Sequence, residues 1–137
     1  MAPQRCSIIR TKPGTTSPAV QGTLVEPDGS QHEVTLNDFA IVPIGEWTSP
    51  TTGFAYPAGW RVTVPERSID LTVTPLIPDQ EMDVSFIYWE GAVKISGTWQ
   101  GEPVTGKGYV ELTGYGADAG QFNAEPRSVL EPAPARA

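Results

Sequence analysis

The sequence predicts an all-β, antiparallel fold, a sandwich or an up-and-down barrel of about seven or eight strands. Three observations carry that reading. Residues 87–96 and 109–115 alternate apolar and polar side chains with period 2, the signature of a strand with two unlike faces. Fourteen glycines and fourteen prolines punctuate the chain at short intervals. No apolar pattern at helical spacing runs longer than a turn or two.

The elements follow in chain order. Residues 6–10 form a short strand candidate, followed by a loop around Gly14, Thr15, Thr16, Ser17 and Pro18. Residues 22–25 lead into Glu26-Pro27-Asp28-Gly29, where Pro before Asp-Gly is a strong turn signal, and residues 32–36 resume the extended pattern, so the two form a hairpin. Asn37-Asp38 breaks it. Residues 39–44 are another apolar run, and residues 46–56, with Ser49-Pro50 and Gly53 inside, read as a loop with aromatic anchors. Residues 60–64 alternate cleanly, and residues 69–76 alternate again, with Thr72 and Thr74 opposite Leu71 and Val73. Pro78-Asp79-Gln80-Glu81-Met82-Asp83 reads as a solvated acidic connector ahead of the long strand at 87–97. Gly101, Pro103 and Gly106 supply the reversal into its antiparallel neighbour. Residues 1–115 thus make one domain. Residues 116–137, dominated by Gly, Ala and Pro, read as a flexible tail in which only residues 121–123 offer a docking segment.

Composition restricts function. A chain of 137 residues fits one domain, and a formal charge of −7 disfavours nucleic acid and anionic membrane as partners. The single cysteine, Cys6, cannot close an internal disulfide. No window approaches a membrane span, and residues 1–12 hold no signal-peptide core, so the default expectation is a cytoplasmic protein. His32 is the one histidine. With no second His, serine elbow or Cys-His pairing, the inventory assembles neither a hydrolytic triad nor a zinc site. Asp79, Glu81 and Asp83 lack the glycine and spacing of a calcium loop. No metal and no cofactor is expected.

The candidate chemistry sits on the two long strands. Glu90 and Glu111 are the first residues to weigh as catalytic groups: two carboxylates facing one apolar cavity would keep a proton donor available near neutral pH, as hydration of an alkene requires. Tyr88 and Tyr109 would supply hydroxyls or ring faces that stabilise a cation. The competing reading is structural, with these glutamates pairing Lys94, Lys107 or Arg61. Trp47, Tyr56 and Trp89 are candidates for lining a ligand cavity, and equally for filling the core; Trp60, at the start of a regular strand, reads as core.

Several spaced elements occur together in order: Trp47-Thr48-Ser49-Pro50, Gly53, Tyr56-Pro57, Trp60, Asp79-Gln80-Glu81, Tyr88-Trp89-Glu90-Gly91-Ala92-Val93, and Gly106-Lys107-Gly108-Tyr109-Val110-Glu111-Leu112-Thr113-Gly114-Tyr115. In this the chain resembles the C-terminal lipocalin-like domain of the AttH and carotenoid 1,2-hydratase (hydroxyneurosporene synthase) superfamily, over residues 22–115. The resemblance implies a lipocalin-like barrel, complete or part-open, the second of a pair, here without the N-terminal barrel and the start of the second. Relatives include carotenoid hydratases and cyclases of polyketide-derived polyenes. The acid/base groups assigned in the hydratases fall mainly in the upstream parts that this chain lacks.

Two functions follow. One is a binding domain for an apolar isoprenoid or polyketide-like molecule, working alone, as a homodimer paired through strand edges, or with an N-terminal barrel domain. The other is an enzyme, a hydratase or a cyclase, acting on a polyene held in the barrel; folding a substrate to bring its ends together needs no fixed acid.

Overall fold

A computed structural model of the chain describes residues 5–9, 21–35, 37–113, 115 and 127–128. Twelve strands occur among the described residues, and eight of them are four residues or longer. In order they are β1 (Arg5–Ile9), β2 (Gln21–Val25), β3 (Gln31–Thr35), β4 (Ala40–Pro43), β5 (Glu46–Thr48), β6 (Ala55–Pro57), β7 (Trp60–Val64), β8 (Ile69–Pro75), β9 (Glu81–Asp83), β10 (Ile87–Trp99), β11 (Glu102–Leu112) and β12 (Arg127–Ser128). One turn of 3₁₀ helix, Pro65–Arg67, joins β7 to β8.

Every pairing is antiparallel, and the strands fall into three sheets. The largest runs β11-β10-β8-β7-β4, with β9 added to β10 beyond the end of β8, and curls into a part-open, lipocalin-like half-barrel. A second runs β12-β1-β2-β3, and β5 with β6 makes a two-stranded ribbon. Within the half-barrel the alternation read from the sequence is realised as one buried face: Trp60, Val62 and Val64 of β7, Ile69, Leu71 and Val73 of β8, Trp89, Val93, Ile95 and Trp99 of β10, and Val110 and Leu112 of β11. Leu24 and Val34 of the second sheet join the same core. Burying aliphatic and aromatic side chains contributes about 1.5–3 kcal/mol each, so this face holds the fold.

Three local expectations are corrected. Residues 46–56 are not a loop: Glu46, Trp47 and Thr48 pair with Pro57, Tyr56 and Ala55, giving a hairpin whose Trp47 and Tyr56 rings stack at 6.0 Å. Pro103 and Gly106 do not form the reversal after β10. Both lie inside β11, opposite Thr98 and Ile95, and the turn is the two-residue Gln100-Gly101 loop. Both turn residues have positive φ, 53° and 81°, as a tight hairpin matched to strand twist requires. The acidic connector is not simply solvated either, since Glu81–Asp83 is a strand paired with Ile87–Trp89. In the segment read as a tail, Arg127 and Ser128 pair with Ile9 and Ile8 of β1. The rest of 116–137, including 121–123, lies outside the described residues, as does the loop at 14–18.

No helix among the described residues is long and apolar enough to cross a membrane.

Candidate ligand site

Register decides which candidate side chains meet. Glu90 is directly opposite Glu111, Ala92 opposite Tyr109 and Lys94 opposite Lys107. Because Trp89 and Val93 point into the core, Tyr88, Glu90 and Lys94 project from the other face of β10, and Tyr109 and Glu111 share that face from β11. The structure therefore brings Tyr88, Glu90, Tyr109 and Glu111 together, on the sheet surface turned away from the buried face. The hydroxyl of Tyr109 donates to Glu90 Oε1 at 2.5 Å. That bond to the carboxylate, assisted by partial desolvation and by the charge of Glu90, pushes the Tyr109 phenol up to about 12. Tyr88 also hydrogen-bonds Glu90, and its phenol is raised for the same first reason. Both tyrosines thus keep their protons, and Glu90 acts as the acceptor.

Apolar surface adjoins this pair. Met82 stands opposite Tyr88 across the β9-β10 ladder, and Phe86 packs against Tyr88 with ring centroids 4.9 Å apart and ring planes tilted by 30°. Met82, Val84, Phe86 and Tyr109 are all exposed, Tyr109 to 44%.

The remaining expected ligand contacts lie elsewhere. Trp89 is 1% exposed; it meets Trp60 edge to face at 6.2 Å and its Nε1 donates to the Pro78 carbonyl at 2.9 Å. Tyr56 is 2% exposed, between Trp47 and Tyr115. Arg61, weighed as a partner for the glutamates, instead forms a two-pronged ion pair with Asp70 (3.0 and 2.6 Å) on the exposed face. His32 is half-buried on β3.

A second polar constellation escaped the sequence reading. Glu81 stands opposite Trp89 and reaches back to the hairpin of β5 and β6. Ser49 Oγ donates to its Oε1 at 2.7 Å, while Thr52 Oγ1 and the Tyr56 hydroxyl donate to its Oε2 at 2.8 and 2.7 Å. Ser49 Oγ in turn accepts the backbone N–H groups of Thr51 and Thr52, both at 3.2 Å. Partial burial works to raise the Glu81 carboxyl, but its three hydroxyl donors outweigh that and hold it below the ordinary range. Desolvation and the same carboxylate push the Tyr56 phenol well up. The cluster ties the ribbon to β9. The signal available was the hydroxyl-rich Thr48-Ser49-Pro50-Thr51-Thr52 stretch, but nothing local showed that a residue about 30 positions away would face it.

Among the described residues no group of three or more His, Cys, Asp or Glu is arranged to hold a metal ion.

With this geometry in place, the comparisons with known proteins decide the family. The AttH-like family profile matches residues 6–115. The chain belongs to the AttH-like family. A crystal structure of a protein assigned as AttH from Nitrosomonas europaea superposes with a TM-score of 0.60 at 37% identity, covering 69% of this chain and 29% of that one. Kievitone hydratase from Nectria haematococca superposes with a TM-score of 0.65 at 20% identity, covering 81% of this chain and 35% of that one. At that identity the second likeness bears on the fold alone. This AttH-like chain spans about a third of the length of either neighbour. No curated protein matches it.

Proposed function

We propose that this AttH-like chain is the lipocalin-like domain of a hydratase-family protein and binds an apolar isoprenoid or polyketide-like molecule, of which an acyclic carotenoid is one instance, against the Tyr88-Tyr109 end of β10 and β11. The observation that carries the reading is the Tyr109–Glu90 contact set beside the exposed Met82, Val84 and Phe86. Aromatic and aliphatic surface with a few fixed polar groups is the chemistry that small-molecule sites use. Glu90 holds the Tyr109 hydroxyl in place, and the ring faces make the contact. Trp47, Tyr56 and Trp89 support the site from the other side of the sheet in this reading. Membership of the AttH-like family agrees with it.

The second reading is acid-catalysed hydration, or cyclisation of a polyene, with Glu90 and Glu111 as the acid/base pair. The rung they share supports it. Against it stands the geometry: Glu90 and Glu111 lie on the sheet face turned away from the buried core, and Glu90 Oε1 is already engaged by the Tyr109 hydroxyl.

The two part on one experiment with geraniol as the probe, followed by intrinsic fluorescence and by product analysis. Binding predicts saturable quenching, weakened about tenfold by Tyr109→Ala and changed less than about threefold by Glu90→Gln, with no hydrated or cyclised product. Product formation abolished by Glu90→Gln would establish the enzyme. Absence of saturable binding to the unsubstituted protein would refute both.

A further inference from the structure

The face of β10 and β11 opposite the core carries its charges in like-signed rungs. Glu90 and Glu111 are directly opposed, two residues further along on the same face come Ala92 and Tyr109, and two residues beyond them Lys94 with Lys107. Like charges directly opposed across a ladder destabilise a sheet, so the arrangement works against the fold of a lone chain. At the acidic rung Tyr109 and Tyr88 donate to Glu90 and relieve part of that cost. The basic rung has no such relief: both lysines are exposed, and among the described residues the one ion pair is Arg61–Asp70.

We infer that this face is covered by a second copy of the chain, in a two-fold arrangement that sets Glu90 and Glu111 over the partner's Lys94 and the partner's Lys107. The rungs make the face self-complementary. They lie symmetrically about the Ala92–Tyr109 rung, each two residues away and therefore about 7 Å along the strand. A two-fold axis lying in the interface along that central rung exchanges the two ends of the face, so every acidic rung meets a basic one and both pairs form at once. This is the isologous contact by which most homodimers associate. At its centre stands Tyr109, 44% exposed in the single chain and of a residue type enriched in interface cores. The inference goes beyond the ligand reading and needs no ligand; a covering copy would occupy the same Tyr109 surface, so a second copy and a ligand would compete for it.

Sedimentation velocity on the unliganded full chain tests it. The expected result is a dimer that weakens as salt is raised, because the contacts that select it are ionic. Lys94→Glu with Lys107→Glu makes the face wholly acidic, and Glu90→Lys with Glu111→Lys makes it wholly basic; each double variant alone should dissociate at least about tenfold more readily. Mixing the two should restore a dimer containing one of each. A chain that stays monomeric at every concentration, a dimer indifferent to salt, a double variant that self-associates as tightly as the parent, or a mixture that stays monomeric would each overturn the inference. Since no ligand is present, failure here leaves the geraniol titration untouched.

Discussion

Replacing Gly91 by alanine should destabilise the protein through one identifiable neighbour. A β-carbon at Gly91 would sit 2.3 Å from Cδ, 2.4 Å from Oε1 and 2.6 Å from Nε2 of Gln80, so the amide must leave. That amide completes the sheet where β8 has ended: its Oε1 accepts the Ala92 N–H at 2.9 Å, and its Nε2 donates to the carbonyls of Ala92 and Ile77, both at 3.0 Å. The Ala92 carbonyl keeps a second donor in the Leu76 N–H, so the main loss is the Ala92 N–H bond plus part of the other two. At about 0.5–1.5 kcal/mol per net hydrogen bond, and more for a buried donor left without a partner, Gly91→Ala should cost about 1.5–3 kcal/mol. The backbone at Gly91 does not have a positive φ, so alanine itself is compatible there. In a Gln80→Ala background the clash is gone, and the same substitution should become neutral or stabilise by about 0.4–1 kcal/mol, by restricting the unfolded chain. Urea unfolding of the four proteins in this double-mutant cycle measures both numbers. A cost under about 0.5 kcal/mol in the parent, or above about 1 kcal/mol in the Gln80→Ala background, would refute the reasoning.

Gly97→Ala should behave differently, because its β-carbon would fall 2.0 Å from the backbone oxygen of Asp70 at a φ of +149°; urea unfolding should show a larger loss than for Gly91→Ala, and no side-chain truncation should restore it. Tyr56→Phe removes a donor to the Glu81 carboxylate, and the urea midpoint should report a loss of about 1.5–3 kcal/mol, as for other hydrogen bonds to charged groups. The folded Glu81 carboxyl lies below its ordinary value of 4.5, so its stabilisation is fully present above that pH and is lost as pH falls through the lower folded value. Thermal unfolding against pH should therefore fall more steeply below pH 4.5 in the parent than in Glu81→Gln. Tyr109 should ionise near pH 12 in an ultraviolet titration and move down toward the ordinary tyrosine value in Glu90→Ala, where the accepting carboxylate is gone; no movement would dissociate the raised value from Glu90.

How much of this was readable beforehand differed by element. β7 and β8 could be read almost to the residue, because each alternates strictly and one face is buried by a single layer of neighbours. The hairpin of β2 and β3 could be read from its Pro-Asp-Gly turn. The β10-β11 reversal was misread because Pro103 and Gly106 are stronger turn residues on average than Gln100. Pro103 is tolerated on β11, the last strand along that side of the half-barrel, where a missing N–H leaves no ladder bond unmade. The ribbon of β5 and β6 was misread as a loop because two three-residue strands carry too few side chains to show a period. Glu90, Glu111, Tyr88 and Tyr109 were legible as a group, while the Glu81 cluster was not: three hydroxyls and a carboxylate from separate segments leave no periodic trace.

By itself the sequence determined the all-β class, the two-faced alternation of the long strands, and the AttH-like family, since alternation and ordered motifs are local properties of the chain. Only the tertiary structure decided the register that opposes Glu90 to Glu111 and Lys94 to Lys107, and the reach of Glu81 across to Ser49, Thr52 and Tyr56. The physical reason is that a one-residue slip leaves a strand's own pattern unchanged while reassigning every neighbour, so pairing is fixed by the packing of the whole core.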